Sequence, residues 1–237
     1  MNVDADALKR AAAAEAVQLV QDGMTIGLGS GSTAELFLAA LADRVIGGLR
    51  ITGVPTSRRV AALAQAKGVP IAPLEDVKQI DLTVDGADEI LLPRLDLIKG
   101  RGAALLREKL VALATDRLYI VADSSKMVST LGELQPVPVA VIPFGWRQTA
   151  DRVRALGCEP VLRMANGRPL ISDDELYILD CQFGPIADPD ALNVALKAVH
   201  GVVEHGIFLG LAAQAIVAGS DGITILAPGL EPGTVSA

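Results

Sequence analysis

The sequence predicts an α/β fold, a doubly wound and mostly parallel sheet with a small α+β insert. Three observations carry that reading. Up to Ala122, short apolar runs alternate with helical patterns, the order produced by parallel strands joined through helices. The chain of 237 residues is 51% hydrophobic yet only 3% aromatic, which fits aliphatic strands covered on both faces. From Leu131 the texture changes: Pro136, Pro138 and Pro143 precede a different succession of helices and strands.

The elements follow in order. Residues 4–20 read as an Ala-rich helix. Residues 24–28 are a short strand, followed by a Gly-Ser-Gly-Ser-Thr turn and a helix over 34–41. A second strand spans 49–54 and a helix 58–67, with Gly68 and Pro70 punctuating the next short strand. Residues 80–84 form a strand that ends in Asp85-Gly-Ala-Asp-Glu89. Residues 103–114 read as a helix apolar nearly all round, hence buried, and 118–122 as another strand.

The insert shows a helix over 146–156, strands over 159–163 and 176–180, and a helix over 189–199. Residues 213–227 return as a strand, a Ser-Asp-Gly turn and a strand, and 231–237 as a frayed tail. This arrangement gives a Rossmann-like core of residues 1–130 plus 206–237. Residues 131–205 form a ferredoxin-like unit, a lid or an interface.

The net charge of −7 argues against nucleic acid as a partner, because binding its phosphate backbone needs a basic surface. It does not exclude a small anion, since a local cluster of donors overrides the global sign. Residues 1–10 are polar and Glu15 interrupts the apolar stretch after them, so no secretory signal is expected. No apolar run has the length of a membrane span. Cys158 and Cys181 make neither a disulfide framework nor a metal pattern, so a reduced, cytoplasmic setting is expected with both as core residues. His200 and His205 are the only histidines, which narrows hydrolase and metal chemistry. His205, in Val-Val-Glu-His-Gly, reads as a structural residue at a strand end or turn.

Three motifs can carry chemistry. The first is Gly27-Leu-Gly-Ser-Gly-Ser-Thr33, between a strand and a helix. Its glycines let the backbone approach a ligand and the helix start offers free N–H groups, while Ser30, Ser32 and Thr33 add hydroxyls. Phosphate fits better than an ordinary capped turn. A dinucleotide site would need an acidic residue after the second strand, where the sequence has Val54-Pro-Thr-Ser57. A Walker loop would need a lysine in the turn, and none is there.

The second motif, Asp85-Gly-Ala-Asp-Glu89, places two carboxylates at a strand end. They can move protons or orient hydroxyls, hold Mg²⁺ beside a phosphate, or simply form a solvated turn. The third is Lys99-Gly-Arg-Gly-Ala followed by Arg107-Glu-Lys109. Three consecutive charges on a helix fan out and cannot all face one partner. Glu108 has Ala104, Leu105, Val111 and Ala112 one turn away, so its carboxylate is either functional or half of a structural ion pair.

Taken together, Gly-Ser-Gly-Ser-Thr, Asp-Gly-Ala-Asp-Glu, Lys-Gly-x-Gly-Ala with Arg-Glu-Lys, and Ala122-Asp-Ser-Ser-Lys126 resemble type A ribose-5-phosphate isomerase over essentially the whole chain. That resemblance implies interconversion of ribose 5-phosphate and ribulose 5-phosphate with no metal or coenzyme, in a cytoplasmic homodimer. It implies Glu108 as the base between C1 and C2, with Asp85, Asp88 and Lys99 around the reacting carbonyl and hydroxyls. Substrate would be held by Ser30, Gly31, Ser32, Thr33 and Lys126, by Lys9 on the first helix, and along the turns by Gly86, Ala87, Gly100, Arg101 and Gly102.

The sequence departs from the family pattern in three places. A serine stands in the Gly-Ser-Gly loop where threonine is also common. Arg101 replaces a frequent glycine, which bears on how closely that backbone approaches substrate. Residues 91–96 carry Leu-Pro where a more polar turn is frequent. Rival readings are a sugar-phosphate sensor without turnover, an aminosugar-phosphate deaminase using a histidine, and a CoA transferase forming an acyl-glutamate.

Overall fold

The structure, a computed structural model, describes residues 5–229. Its first part runs α1 (Ala5–Val17), β1 (Thr25–Leu28), α2 (Ser32–Ile46), β2 (Thr52–Pro55), α3 (Arg58–Ala66) and β3 (Leu82–Asp85). The hairpin of β4 (Glu89–Leu91) and β5 (Asp96–Ile98) precedes α4 (Leu105–Leu113), β6 (Leu118–Asp123) and β7 (Met127–Val128). Then come β8 (Val137–Val141), α5 (Trp146–Arg154), β9 (Glu159–Leu162), β10 (Met164–Ala165), β11 (Arg168–Pro169) and β12 (Tyr177–Gln182). Last are α6 (Pro189–Ala198), β13 (Val202–His205), β14 (Ile207–Phe208), β15 (Ala212–Gly219) and β16 (Gly222–Leu226).

The main sheet has the order β16-β15-β6-β3-β1-β2. Every neighbouring pair in it is parallel except β15 with β16. In chain order the five parallel strands read 2-1-3-4-5, so the winding reverses between β1 and β3. Ligands of such sheets bind outside the carboxyl ends of the strands at that reversal. On one face, α1 lies against α2, β6 and β15. Its Ala12, Ala13 and Ala16 are fully buried, and their small side chains let the helix sit close. Opposite them α2 buries Phe37, Leu38 and Leu41, each contributing about 1.5–3 kcal/mol relative to exposure. Ser57 caps α3, its hydroxyl accepting from Val60 N at 3.2 Å.

The second sheet, β13-β8-β12-β9, is antiparallel throughout. With α5 and α6 it has the β-α-β-β-α-β order of a ferredoxin-like unit, interrupted only by the β10–β11 hairpin. Cys158 and Cys181 are buried free thiols in its core, as the sequence implies. A third sheet, β14-β5-β4-β7, joins the two. There Glu89 is fully buried and accepts from Gly132 N at 2.6 Å and from Leu134 N and Gln135 N at 2.7 Å. One carboxylate thus ties the strand after Asp88 to the segment leading into β8.

Several boundaries differ from the sequence expectation. The second strand is Thr52–Pro55, and the strand expected after Pro70 is a single bridge between Gly53 and Ile71. The third-sheet strands and β8 were not foreseen. In β8, Pro138 stands in the interior of a paired strand, and its carbonyl accepts from Gly206 N at 2.8 Å. The Gly206 carbonyl, which an N–H at position 138 would take, instead accepts from Lys99 N at 2.9 Å. Helix α4 begins only at Leu105, because Gly100 (φ +109°) and Ala103 (φ +62°) turn the chain first. It is not buried all round: Leu110 and Leu113 are 48% and 63% exposed, so one flank meets solvent. The opening helix ends at Val17; residue 4 and the tail 231–237 lie outside the described residues.

His205 is buried at the end of β13, where its Nδ1 accepts from Ile207 N at 3.3 Å. Burial, reinforced by the Lys109 charge, pushes its pKa down to about 3, so it is a neutral structural group. Among the described residues no helix is long and apolar enough to cross a membrane.

Candidate active site

Turns at the carboxyl ends of β1, β3, β5 and β6 converge on one cleft of about 480 Å³ beside the winding reversal. Its lining contains Lys9, Ser30, Gly31, Ser32, Thr33, Gly86, Ala87, Asp88, Lys99, Gly100, Arg101, Gly102, Glu108 and Lys126. Of the residues expected to act on or hold the substrate, only Asp85 is absent from the wall; it lies directly behind, bonded to Lys99. Ala5, Asp123 and Ser125 also line the cleft and were not singled out. Asp123 Oδ1 accepts from Ser125 N at 3.0 Å, shaping the turn that carries Lys126. The Asp-Ser-Ser-Lys string was the available signal for both.

The loop after β1 approaches β3 closely. A Cβ at Gly29 would fall 2.3 Å from Asp85 Oδ1, so only glycine allows Ser30 N to donate to that oxygen at 3.1 Å. Gly31, with φ +99°, then turns the chain into α2. The Ser30 hydroxyl is engaged inside the protein, with Thr56 Oγ1 at 2.9 Å and Ser57 Oγ at 3.0 Å. Ser32, Thr33 and the start of α2 therefore present the polar surface of this loop to the cleft.

Lys99 is the hub of the charged groups. Its Nζ lies 2.9 Å from Asp85 Oδ2 and 3.4 Å from Glu108 Oε1, and donates to Gly86 O at 2.6 Å. All three charged residues are buried, at 2%, 1% and 5% exposure for Lys99, Asp85 and Glu108. Burial works against the charge on Lys99, but Asp85 and Glu108 together hold its pKa above the ordinary lysine value. Burial pushes the Asp85 carboxyl upward, while Lys99 and the N–H groups of Gly86 and Ser30 pull it back. Glu108 is pushed up to about 8, chiefly by burial and further by Asp85 and Asp88, against the pull of Lys99. Its Oε2 is buried and has no hydrogen-bond partner among the described residues.

The three charges of Arg107-Glu-Lys109 do fan out. Arg107 grips Asp174 of the second unit, through Nε and Nη2 at 2.9 and 2.7 Å. Lys109 donates to Glu204 Oε1 and to the carbonyls of His205 and Ile207 at 2.7–2.9 Å, holding the β13–β14 corner. Glu108 alone faces the cleft. Asp88 accepts from Arg101 N at 3.0 Å, so an arginine at this position still leaves its backbone bound to the turn. No side chain of the 91–96 connection lines the cleft, and neither histidine does. Among the described residues, no group of three or more His, Cys, Asp or Glu is gathered to hold a metal.

Comparison with known proteins gives the same answer. The family described as ribose 5-phosphate isomerase A (phosphoriboisomerase A) matches residues 52–222. Ribose-5-phosphate isomerase A of Synechococcus sp. (strain JA-3-3Ab) is 55% identical over 94% of this chain and 97% of its own length. The solved ribose 5-phosphate isomerase from Plasmodium falciparum superposes with a TM-score of 0.91 at 37% identity, covering 95% of this chain and 100% of that one. A solved D-ribose-5-phosphate isomerase in complex with phospho-erythronic acid superposes at 0.92 with 38% identity and the same coverage. The chain therefore belongs to the ribose 5-phosphate isomerase A family of aldose–ketose isomerases.

Proposed function

We propose that the cleft interconverts D-ribose 5-phosphate and D-ribulose 5-phosphate through an enediolate, with Glu108 as the base that moves the proton between C2 and C1. The observation that carries this is the Glu108 carboxylate on the cleft wall: one oxygen lies beside Lys99, and the other is buried with no partner among the described residues. A structural ion pair would satisfy both oxygens; a base needs one free. Its pKa of about 8 suits removal of a proton from carbon near neutral pH.

In this mechanism Glu108 takes the proton from C2 of the open aldose and returns it to C1, while a hydroxyl proton moves between the two oxygens. The fixed charge of Lys99 offsets the negative charge that develops on them. Asp85 assists ring opening and Asp88 helps hold the hydroxyls. Phosphate is held by Ser32, Thr33 and the N–H groups of their turn, with Lys9 and Lys126 as counter-charges. The ligand of the solved relative supports this reading. Phospho-erythronic acid is a phosphorylated four-carbon hydroxy acid, and its planar carboxylate has the shape and charge of an enediolate.

As parts of the same proposal, residues 1–130 with 206–237 form the catalytic core and 131–205 a lid or interface unit. The unit is tied to the core through Arg107–Asp174 and through Arg58 N, which donates to Asp173 Oδ2 at 2.6 Å. The cytoplasmic homodimer rests on the family resemblance. Incubation with ribose 5-phosphate tests the activity: ketose forms if the assignment is right, and binding without turnover would support the sensor reading instead.

The phosphate anchor has its own test. Removing the Thr33 hydroxyl in Thr33→Val should raise KM about tenfold or more, because a hydrogen bond to a charged group contributes roughly 1.5–3 kcal/mol. Inorganic phosphate should inhibit the parent competitively and the variant more weakly. Unchanged KM and unchanged phosphate inhibition would move the anchor elsewhere.

A further inference from the structure

We propose that Arg163 and Asp180 of the ferredoxin-like unit form a positioning pair for the turn between Lys99 and α4, aiming one backbone donor of that turn at Asp88 and the next toward the cleft. This rests on the assignment of the cleft to isomerisation. Arg163 follows β9, and its backbone is fixed by donation to Ile178 O at 2.8 Å. Its guanidinium divides between two tasks. Nε donates to Asp180 Oδ2 at 2.9 Å and Nη2 donates to Asp180 Oδ1. Nη1 reaches across to the turn, donating to Gly100 O at 3.0 Å and Arg101 O at 2.9 Å.

Those two carbonyls belong to peptide planes that matter. In a planar trans peptide, fixing the carbonyl of one residue fixes the N–H of the next, pointing the opposite way. Holding Gly100 O therefore aims Arg101 N, which donates to Asp88 Oδ2 at 3.0 Å. Holding Arg101 O aims Gly102 N away from Arg163, toward the side where Gly102 lines the cleft. The turn needs such support, because Gly100 and Ala103 both sit at positive φ.

The chemistry of the pair fits positioning better than stability. The Arg163 and Asp180 side chains are 15% and 23% exposed, so the pair is partly shielded from water and its geometry is held firmly. Only arginine presents the planar fork that can hold a carboxylate and two carbonyls at once; a lysine ammonium cannot keep that geometry.

Steady-state turnover of ribose 5-phosphate by full-length variants tests this. Arg163→Gln should lower kcat about tenfold or more with KM within roughly threefold, since displaced donors fail mainly in the transition state. Its melting temperature should move by only a few degrees, and Arg163→Lys should recover part of the loss. Asp180→Asn should lower kcat less, and should add nothing further in the Arg163→Gln background. A kcat within twofold of the parent in Arg163→Gln, a change confined to KM, or full additivity of the two substitutions would each overturn the proposal. If Arg163→Gln fails to fold, Arg163→Lys and Asp180→Asn decide, and parental kcat in both overturns it. Normal turnover in Arg163→Gln beside a dead Glu108→Gln removes only this inference; normal turnover in Glu108→Gln removes the assignment beneath it.

Discussion

Replacing Glu108 with glutamine should lower kcat by about 10²-fold or more while leaving substrate bound and the protein folded. Glutamine keeps the size and the contact toward Lys99 but cannot accept a proton from carbon. The same substitution should raise thermal stability at alkaline pH, and the sign can be worked out. The fold moves the Glu108 pKa from 4.5 up to about 8, so folding favours the neutral acid. Stability from this group is full below about pH 4.5 and declines as pH rises toward 8. A permanently neutral glutamine escapes that decline, and at pH 8–9 the variant should gain roughly 1–3 kcal/mol. Catalysis runs the other way: kcat/KM of the parent should rise with pH through about 8, as the base ionises, and level off above it. A structural ion pair would give the reverse pattern, lost stability with retained turnover. Normal turnover in Glu108→Gln would end the proposal.

Replacing Lys99 with methionine should be damaging to both fold and chemistry. The substitution leaves Asp85 and Glu108 buried with no cation between them. Removing one partner of a buried pair costs about 3–5 kcal/mol, which in a chain of this size lowers the melting temperature by roughly 10 °C. The penalty should shrink at pH 5, where the stranded carboxylates can take up protons, and grow at pH 8. Any folded fraction should turn over about 10²- to 10³-fold more slowly, because the charge that offsets the enediolate is gone. Thermal melts at the two pH values, with kcat measured well below the melting temperature, separate the two losses. Parental kcat in the folded variant would show that Lys99 serves the fold alone.

Much of this was legible in the sequence, for identifiable reasons. The strand–turn–helix around Gly27–Thr33 could be read because glycine density and a helix start are local signals. The fan of Arg107, Glu108 and Lys109 followed from helical periodicity alone. That Lys9, Thr33, Asp88, Lys99, Glu108 and Lys126 meet in one cleft did not follow from periodicity; the family resemblance supplied it. Strands such as β4, β5, β7 and β14 stayed hidden because two or three residues cannot show an alternation. The exposed flank of α4 was missed because Leu110 and Leu113 read as core residues in the sequence yet face solvent in the fold. Arg163 and Asp180 left no trace, since a pair 17 positions apart in sequence becomes meaningful only once β9 and β12 lie side by side.

Pro138 hid β8 in the sequence, because prolines ordinarily mark the limits of strands. In the folded molecule its missing N–H leaves one rung of the β8–β13 ladder unclaimed, and the backbone of Lys99 takes the vacant acceptor on Gly206. The cation that organises the carboxylates is thus moored to a defect in a neighbouring sheet. Any other residue at position 138 would introduce a rival donor for the same oxygen. A proline that looks like a flaw in strand design is a form of reservation: it keeps a seat empty in one sheet for the residue that serves another.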